Sequence, residues 1–201
     1  MSNFSDFFPA PGGGGGGGGI PKYQEFTTSG TFTPTQALID AGGRIGLIVV
    51  GGGGGGTNAT YASFGGVGGE VKFCYSTLVN TNSIAITIGA GGVVSGNDGT
   101  DGTSTTFAAS SAGGIDVVSA GGMGAKDGNQ PNFPQITMTG AGFPAIYKTS
   151  GVTSAGSGIM GYGVGGSMYN GGGSGITSSF GSGGGWQQPG GNGFVRITWF
   201  E

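Results

Sequence analysis

Arg44-Ile45-Gly46-Leu47-Ile48-Val49-Val50-Gly51-Gly52-Gly53-Gly54-Gly55-Gly56 is the stretch that decides how this chain folds. Behind Arg44 the strand 44–50 has apolar residues on both faces, which predicts an interior position. Six consecutive glycines then prolong a strand that is already buried. In solvent such a run is a slack linker. Continuing a buried strand, it has another use. Extended backbones without Cβ atoms approach closely, and every N–H and C=O must find a partner on a neighbouring segment. An extended helix with about three residues per turn and a rise of about 3.1 Å per residue makes no hydrogen bonds within itself. All its polar groups point sideways. The run is therefore expected to be the first strut of a packed lattice of such glycine helices.

The same module, a strand followed by glycines, recurs outward from this stretch. Residues 83–88 place Ile84, Ile86 and Ile88 on one face and lead into Gly89-Ala90-Gly91-Gly92. Residues 115–119 lead into Gly121-Gly122-Met123-Gly124. Phe64-Gly65-Gly66-Val67-Gly68-Gly69 and the runs at 171–175 and 181–185 return to the pattern. The period is irregular, so the chain is not a solenoid of fixed repeats. Residues 23–34 read as a strand or hairpin with Phe26, Thr28, Gly30 and Phe32 on one face. Residues 70–77 alternate, with Val71, Phe73 and Tyr75 expected inward, and 103–107 is a further short strand. Residues 194–200 form a last strand, Val195, Ile197 and Trp199 on one face and Arg196 on the other. No segment has apolar residues at helical spacing. The expected fold is all-β: a short-strand β-sandwich merging into a packed lattice of polyglycine II helices, with no α-helix of note.

Composition supports an ordered body. The 201 residues include 54 glycines but only 8 prolines and no Gly-X-Y period, which excludes collagen. Aperiodic glycine at this level usually signals disorder. Here only 7% of residues are charged and 10% are aromatic, with 13 phenylalanines to seal a core. A net charge of −3 and six scattered basic residues (Lys22, Arg44, Lys72, Lys126, Lys148 and Arg196) speak against nucleic acid, because phosphate binding needs clustered cations. Cys74 is the single cysteine and can form no internal disulfide; within a strand it reads as a small buried residue. No stretch has membrane-spanning length. Residues 1–11 lack the basic and apolar regions of a secretory signal, so synthesis in a cytoplasm is expected.

The chemistry available is narrow. Histidine is absent, which removes Ser-His and Cys-His pairs and the commonest zinc ligands. Asp98, Asp101, Asp116 and Asp127 offer carboxylates for a glycosidase pair, but Asp98 and Asp101 sit in an Asn/Asp/Gly cluster that reads as a turn. That cluster, 96–102, faintly resembles a calcium-binding turn without the twelve-residue pattern. No Gly-Lys-Ser/Thr follows a glycine run. The chain is read as non-enzymatic, with no cofactor and no metal.

Binding is the remaining class. The loops between glycine motifs carry Tyr61; Asn129, Gln130, Asn132 and Phe133; Phe143 and Tyr147; Tyr162, Met168, Tyr169 and Asn170; and Trp186. Rigid aromatics with adaptable amides are the composition of antibody binding loops. Loops held by a rigid frame are recognition devices. The plainer reading is that Phe133, Phe143 and Tyr147 cap the lattice against water. At the N-terminus Phe4, Phe7 and Phe8 precede eight glycines at 12–19, roughly 25 Å if extended. This segment is either a linker or an aromatic anchor that docks on a partner.

These residues bear a family resemblance. Phe26-Thr27-Thr28-Ser29-Gly30-Thr31-Phe32-Thr33-Pro34, then Leu47-Ile48-Val49-Val50 with its glycines, resembles the glycine-rich domain of bacteriophage tail-fibre and receptor-binding proteins. Residues 83–92, 99–107, 117–122 and Gly193-Phe194-Val195-Arg196-Ile197-Thr198-Trp199-Phe200-Glu201 fit the same order. The whole is similar to the fibre-tip adhesins of T-even-type phages. That resemblance implies a receptor-binding domain at 23–201 and an attachment segment at 1–22. Loops 57–64, 127–149, 160–170 and 186–189 would meet a host receptor: an outer-membrane protein, pilus or polysaccharide. It implies a virion location, other tail or fibre proteins as partners and Phe4, Phe7 and Phe8 at the fibre joint. A homotrimer and a single tip on a trimeric shaft both fit. The alternative is a structural virion component that caps or joins a fibre. An ice-binding or cell-wall glycine-rich protein is a third reading; an ice binder needs a glycine at every third residue, which 51–69 does not keep.

Overall fold

Period-two sequences build ten short strands among the residues described by the computed structural model, 19–58, 65–126, 180–185 and 187–201. In chain order they are β1 (Pro21–Phe26), β2 (Gly30–Phe32), β3 (Arg44–Val50), β4 (Val71–Thr77), β5 (Ile84–Thr87), β6 (Val94–Ser95), β7 (Asp98–Gly99), β8 (Thr105–Ala108), β9 (Val117–Ser119) and β10 (Phe194–Phe200). Two four-stranded antiparallel sheets result, ordered β1-β10-β3-β4 and β2-β5-β8-β9, with β6 and β7 as a separate hairpin. The fold is all-β with almost no helix. β3 lies inside its sheet, as its two apolar faces require, and only Arg44 is exposed.

One face of each sheet supplies the core. Ile45, Leu47, Val49, Cys74, Val195 and Ile197 of the first sheet meet Phe32, Ile84, Ile86, Phe107 and Val117 of the second. Each fully buried apolar side chain contributes roughly 1.5–3 kcal/mol. An exposed ion pair such as Arg196–Glu25 contributes about 0–1 kcal/mol. The apolar cluster therefore holds the sheets together.

The expected faces of β5 and β10 are observed: Ile84 and Ile86 are buried with Ile88 against them, and Val195 and Ile197 face the core beside Trp199. Two expectations are corrected. Residues 23–34 do not form a hairpin, because β1 and β2 belong to different sheets and the chain changes layer between them. Phe32 enters the core, Phe26 packs at its margin and Thr28 is exposed. In β4 the inward residue is Cys74, not Phe73 or Tyr75. Val71 and Phe73 join a second cluster, with Ile48, Val50, Phe194 and Phe180. Phe180 stacks on Phe194 with centroids 4.5 Å apart. Tyr75 lies under the Arg44 guanidinium, 5.2 Å from the ring centre. Apolar and aromatic residues on both faces of the first sheet make β4's alternation ambiguous by one residue.

A five-residue helix, α1 (Gln36–Asp40), stands where no helix was expected. The Thr35 hydroxyl caps it by accepting from the Leu38 N–H at 3.1 Å, and Leu38 is buried. Gly42 and Gly43 end it with φ of 99° and 65°.

Cys74 is 4% exposed, and burial pushes its thiol up to about 11. At pH 8 the unfolded thiol is partly ionised, whereas the folded one is neutral and covered. We expect iodoacetamide to label native protein at least ~100-fold more slowly than protein in denaturant, read by mass spectrometry.

Beyond β3 the six glycines 51–56 are all buried. Their N–H groups bond to three separate segments in rotation. Gly51 and Gly54 donate to Glu70 and Val67; Gly52 and Gly55 donate to Thr103 and Thr100; Gly53 and Gly56 donate to Gly191 and Gln188. The distances are 2.8–3.0 Å. Three further segments donate back: Gly122 and Ala125 to the carbonyls of Gly52 and Gly55, Gly92 to Gly53, and Gly184 to Gly54. The central run is thus ringed by six segments: 66–70, 90–93, 99–103, 120–125, 182–185 and 188–191.

Candidate functional site

The direction of each segment gives this ring two ends. Residues 66–70, 99–103 and 188–191 run opposite to 51–56, since their numbering falls as the partner's rises. Residues 122–125 run with it by the same test. So do 90–93 and 182–185: Ala90 and Val93 lie beside Gly52 and Gly55, and Ser182 and Gly185 lie beside Gly53 and Gly56. The chain therefore leaves the ring at the Gly56 end after Asn58, at the Gly96-Asn97 turn and after Lys126, whereas it is next described at Phe180, which stacks on Phe194 at the sheet end. Thr57-Asn58, the β6–β7 hairpin, Ala125-Lys126, Gly185 and Gln187 all lie at the Gly56 end.

These residues hold one another. The Asn58 N–H donates to the Asn97 carbonyl at 3.2 Å, and the Gln187 N–H donates to the Thr57 carbonyl at 2.9 Å. The Gln187 side-chain amide donates to Asn58 Oδ1 at 2.6 Å. Lys126 Nζ donates to the Gly99 carbonyl at 3.1 Å and lies 3.9 Å from Asp98. Gln187 has φ of 57°, a left-handed conformation rare outside glycine and maintained here by the contacts around it. Asn58, Asn97, Lys126, Gln187 and Gln188 are exposed. Among the described residues, this end surface is rich in amides and has one cation–anion pair.

The opposite end is the base of the sheets. Ile20 and Glu201 exchange backbone hydrogen bonds, at 2.6 and 3.1 Å, and extend the β1–β10 ladder. The Thr35 hydroxyl, then the Trp199 indole at 3.0 Å, donate to the Glu201 carboxylate and hold it below its usual range. The segment preceding residue 19 therefore joins the described part at the end away from Gly56.

Every binding residue expected from the sequence falls outside the described residues: Tyr61, Asn129, Gln130, Asn132, Phe133, Phe143, Tyr147, Tyr162, Met168, Tyr169, Asn170 and Trp186. Phe4, Phe7 and Phe8 and the 171–175 motif do so too. The described neighbours of three of the expected loops, 57–64, 127–149 and 186–189, share the Gly56 end. Sequence reasoning overlooked Asn58, Asn97, Lys126 and Gln187 there. Asn58 and Gln187 fall within loops already marked out, but Asn97 was assigned to a turn.

The 96–102 cluster is corrected in part. The turn is only Gly96-Asn97, between Ser95 and Asp98, with Gly96 at φ 60°. Residues 99–103 are a ring segment instead. Asp101 accepts from the Gly124 N–H at 2.8 Å, and Asp98 faces Lys126. Asp116 accepts from the Ser110 N–H at 2.8 Å. Each carboxylate has its own neighbour. Among the described residues, no group of three His, Cys, Asp or Glu side chains is placed to hold a metal ion, and no helix is long and apolar enough to cross a membrane.

No protein-family model matches this chain, and no curated protein matches its sequence.

Proposed function

We propose that this protein is a receptor-binding adhesin of a bacteriophage tail fibre or tail tip. The ring around 51–56 would be a bundle of polyglycine II helices, six about one. The threefold rotation of hydrogen-bond partners supports that reading, since such a helix has about three residues per turn. The observation that carries the function is polarity. The N-terminal segment joins one end, and the chain leaves the ring after Asn58, at the Gly96-Asn97 turn and after Lys126 from the other, roughly 19 Å beyond β3 at about 3.1 Å per glycine, with Phe180 alone among the described residues marking a return at the sheet end. Attachment at the base and recognition at the tip is the arrangement an adhesin needs. The bundle fixes the ends of the loops, so they lose little conformational freedom on binding a host receptor. That receptor would be an outer-membrane protein, a pilus or a surface polysaccharide.

The test is binding of labelled protein to a panel of bacteria, with mutants lacking each receptor class. Asn58→Arg and Gln187→Arg should each weaken cell binding at least ~10-fold, since a bulky charge at an interface centre leaves polar groups unpaired. Tyr23→Arg, on an exposed side chain of β1, should leave binding unchanged. Loss of binding on Tyr23→Arg but not on the tip changes would support a joining component instead.

A further inference from the structure

On the 90–93 flank Ala90 and Val93 are exposed and, among the described residues, no segment beyond the ring covers them, yet the outward N–H groups there are bonded. Gly92 donates inward, to the Gly53 carbonyl. Its neighbours donate to side chains: Ala90 to Thr103 Oγ1 at 2.7 Å, Gly91 to Asn192 Oδ1 at 2.9 Å and Val93 to Thr100 Oγ1 at 2.8 Å. Thr100 and Thr103 bond twice to one partner each. Their own N–H groups donate to the carbonyls of Val93 and Ala90. The neighbouring flank shows the same device, with Asp101 accepting from Gly124 and Glu70 Oε2 from Ala120, at 2.8 and 2.9 Å.

We infer that these side chains stand in for absent neighbours and close the bundle against lateral addition of another glycine-rich chain. The inference rests on the bundle reading above. In a bundle of three-residue helices each N–H points to one of three directions, and segment 90–93, with Gly92 inward, aims the other two away from the centre. An unpaired outward N–H is a template for pairing with another chain, as at a sheet edge. Residues 99–103, Gly-Thr-Asp-Gly-Thr, divide the work by position. The added Cβ at Gly99 and Gly102 would strike Gly55 and Gly52, so glycine faces the centre. Thr100 and Thr103 cap one side, and Asp101 the other. The chain excluded is a glycine run from a second copy, such as 12–19.

The experiment compares wild type with Thr100→Val/Thr103→Val and Thr100→Ser/Thr103→Ser. Valine keeps the shape and removes the acceptor; serine keeps the acceptor. The valine protein should form concentration-dependent oligomers in sedimentation velocity at concentrations where wild type does not change. At low concentration its Ala90 and Val93 amides should exchange at least ~10-fold faster, because their acceptors are gone. The serine protein should match wild type in both. A folded valine protein with unchanged association and unchanged exchange at Ala90 and Val93 overturns the inference. If the double variant does not fold, Thr100→Val alone is read by the same two criteria. Fast exchange at 51–56 in wild type would instead overturn the bundle itself, so the two failures are separable.

Discussion

Gly54→Ala is expected to cost at least ~3 kcal/mol, enough to leave much of the protein unfolded, from the overpacking range with no room to relax. A Cβ on Gly54 would lie 2.0 Å from the Met123 carbonyl oxygen, 2.3 Å from its carbon and 2.7 Å from the Gly124 nitrogen. All three atoms are backbone, so no side-chain rotation relieves the clash. Its neighbours are no freer: the nearest atom to the added carbon is 1.9 Å away at Gly53 and 2.5 Å at Gly55. Gly42→Ala is the control. Nothing lies within 4 Å of its added carbon, and φ of 99° is its only penalty, about 1–2 kcal/mol. Urea midpoints of the two variants against wild type make the comparison. Near-wild-type stability of Gly54→Ala would mean that the 51–56 segment does not pack as described.

Amide exchange gives the second large effect. A free glycine linker exchanges at its intrinsic rate. Here the N–H groups of all six residues 51–56 are bonded at 2.8–3.0 Å inside a buried run. Opening them requires parting the ring, so they should report close to global unfolding. A domain stability of about 5 kcal/mol or more corresponds to protection of at least ~10³-fold. Deuterium labelling with site-resolved detection should show it across 51–56, with Gly96, in an exposed turn, exchanging far faster. Uniform rapid exchange across 51–56 would return this run to the class of tethers.

The glycine modules at Val50, Ile88 and Ser119 were legible because a buried strand that runs into glycine has few physical outcomes. All three lead into the same ring. The strands of the core were legible where one face is apolar and the other polar, as at Ile84 and Ile86. At Phe73 and Tyr75 the signal failed, because this sheet carries large side chains on both faces and its core position went to Cys74. Residues 99–102 read as part of a turn, since turns and ring segments draw on the same Gly, Asp and Thr. The distinguishing mark is the three-residue spacing of Gly99 and Gly102, repeated at Gly66 and Gly69 and at Gly121 and Gly124. The helix at Gln36–Asp40 is too short for apolar periodicity, though Thr35 before it is a start signal and Gly42-Gly43 after it a stop signal. That Asn58, Asn97 and Lys126 share one end was not legible, because sequence does not state which way each segment runs. The residues chosen for contact lie outside the described residues.

The up-and-down order of the ring separates two kinds of tolerance. A methyl group added at its axis strikes main-chain atoms, whereas residues added at the exposed Gly96-Asn97 turn extend into solvent. Doubling the length of such a turn costs on the order of 0.6 kcal/mol. Diversity can therefore accumulate in the turns while the axis stays fixed, and the apolar core between the sheets never registers the change.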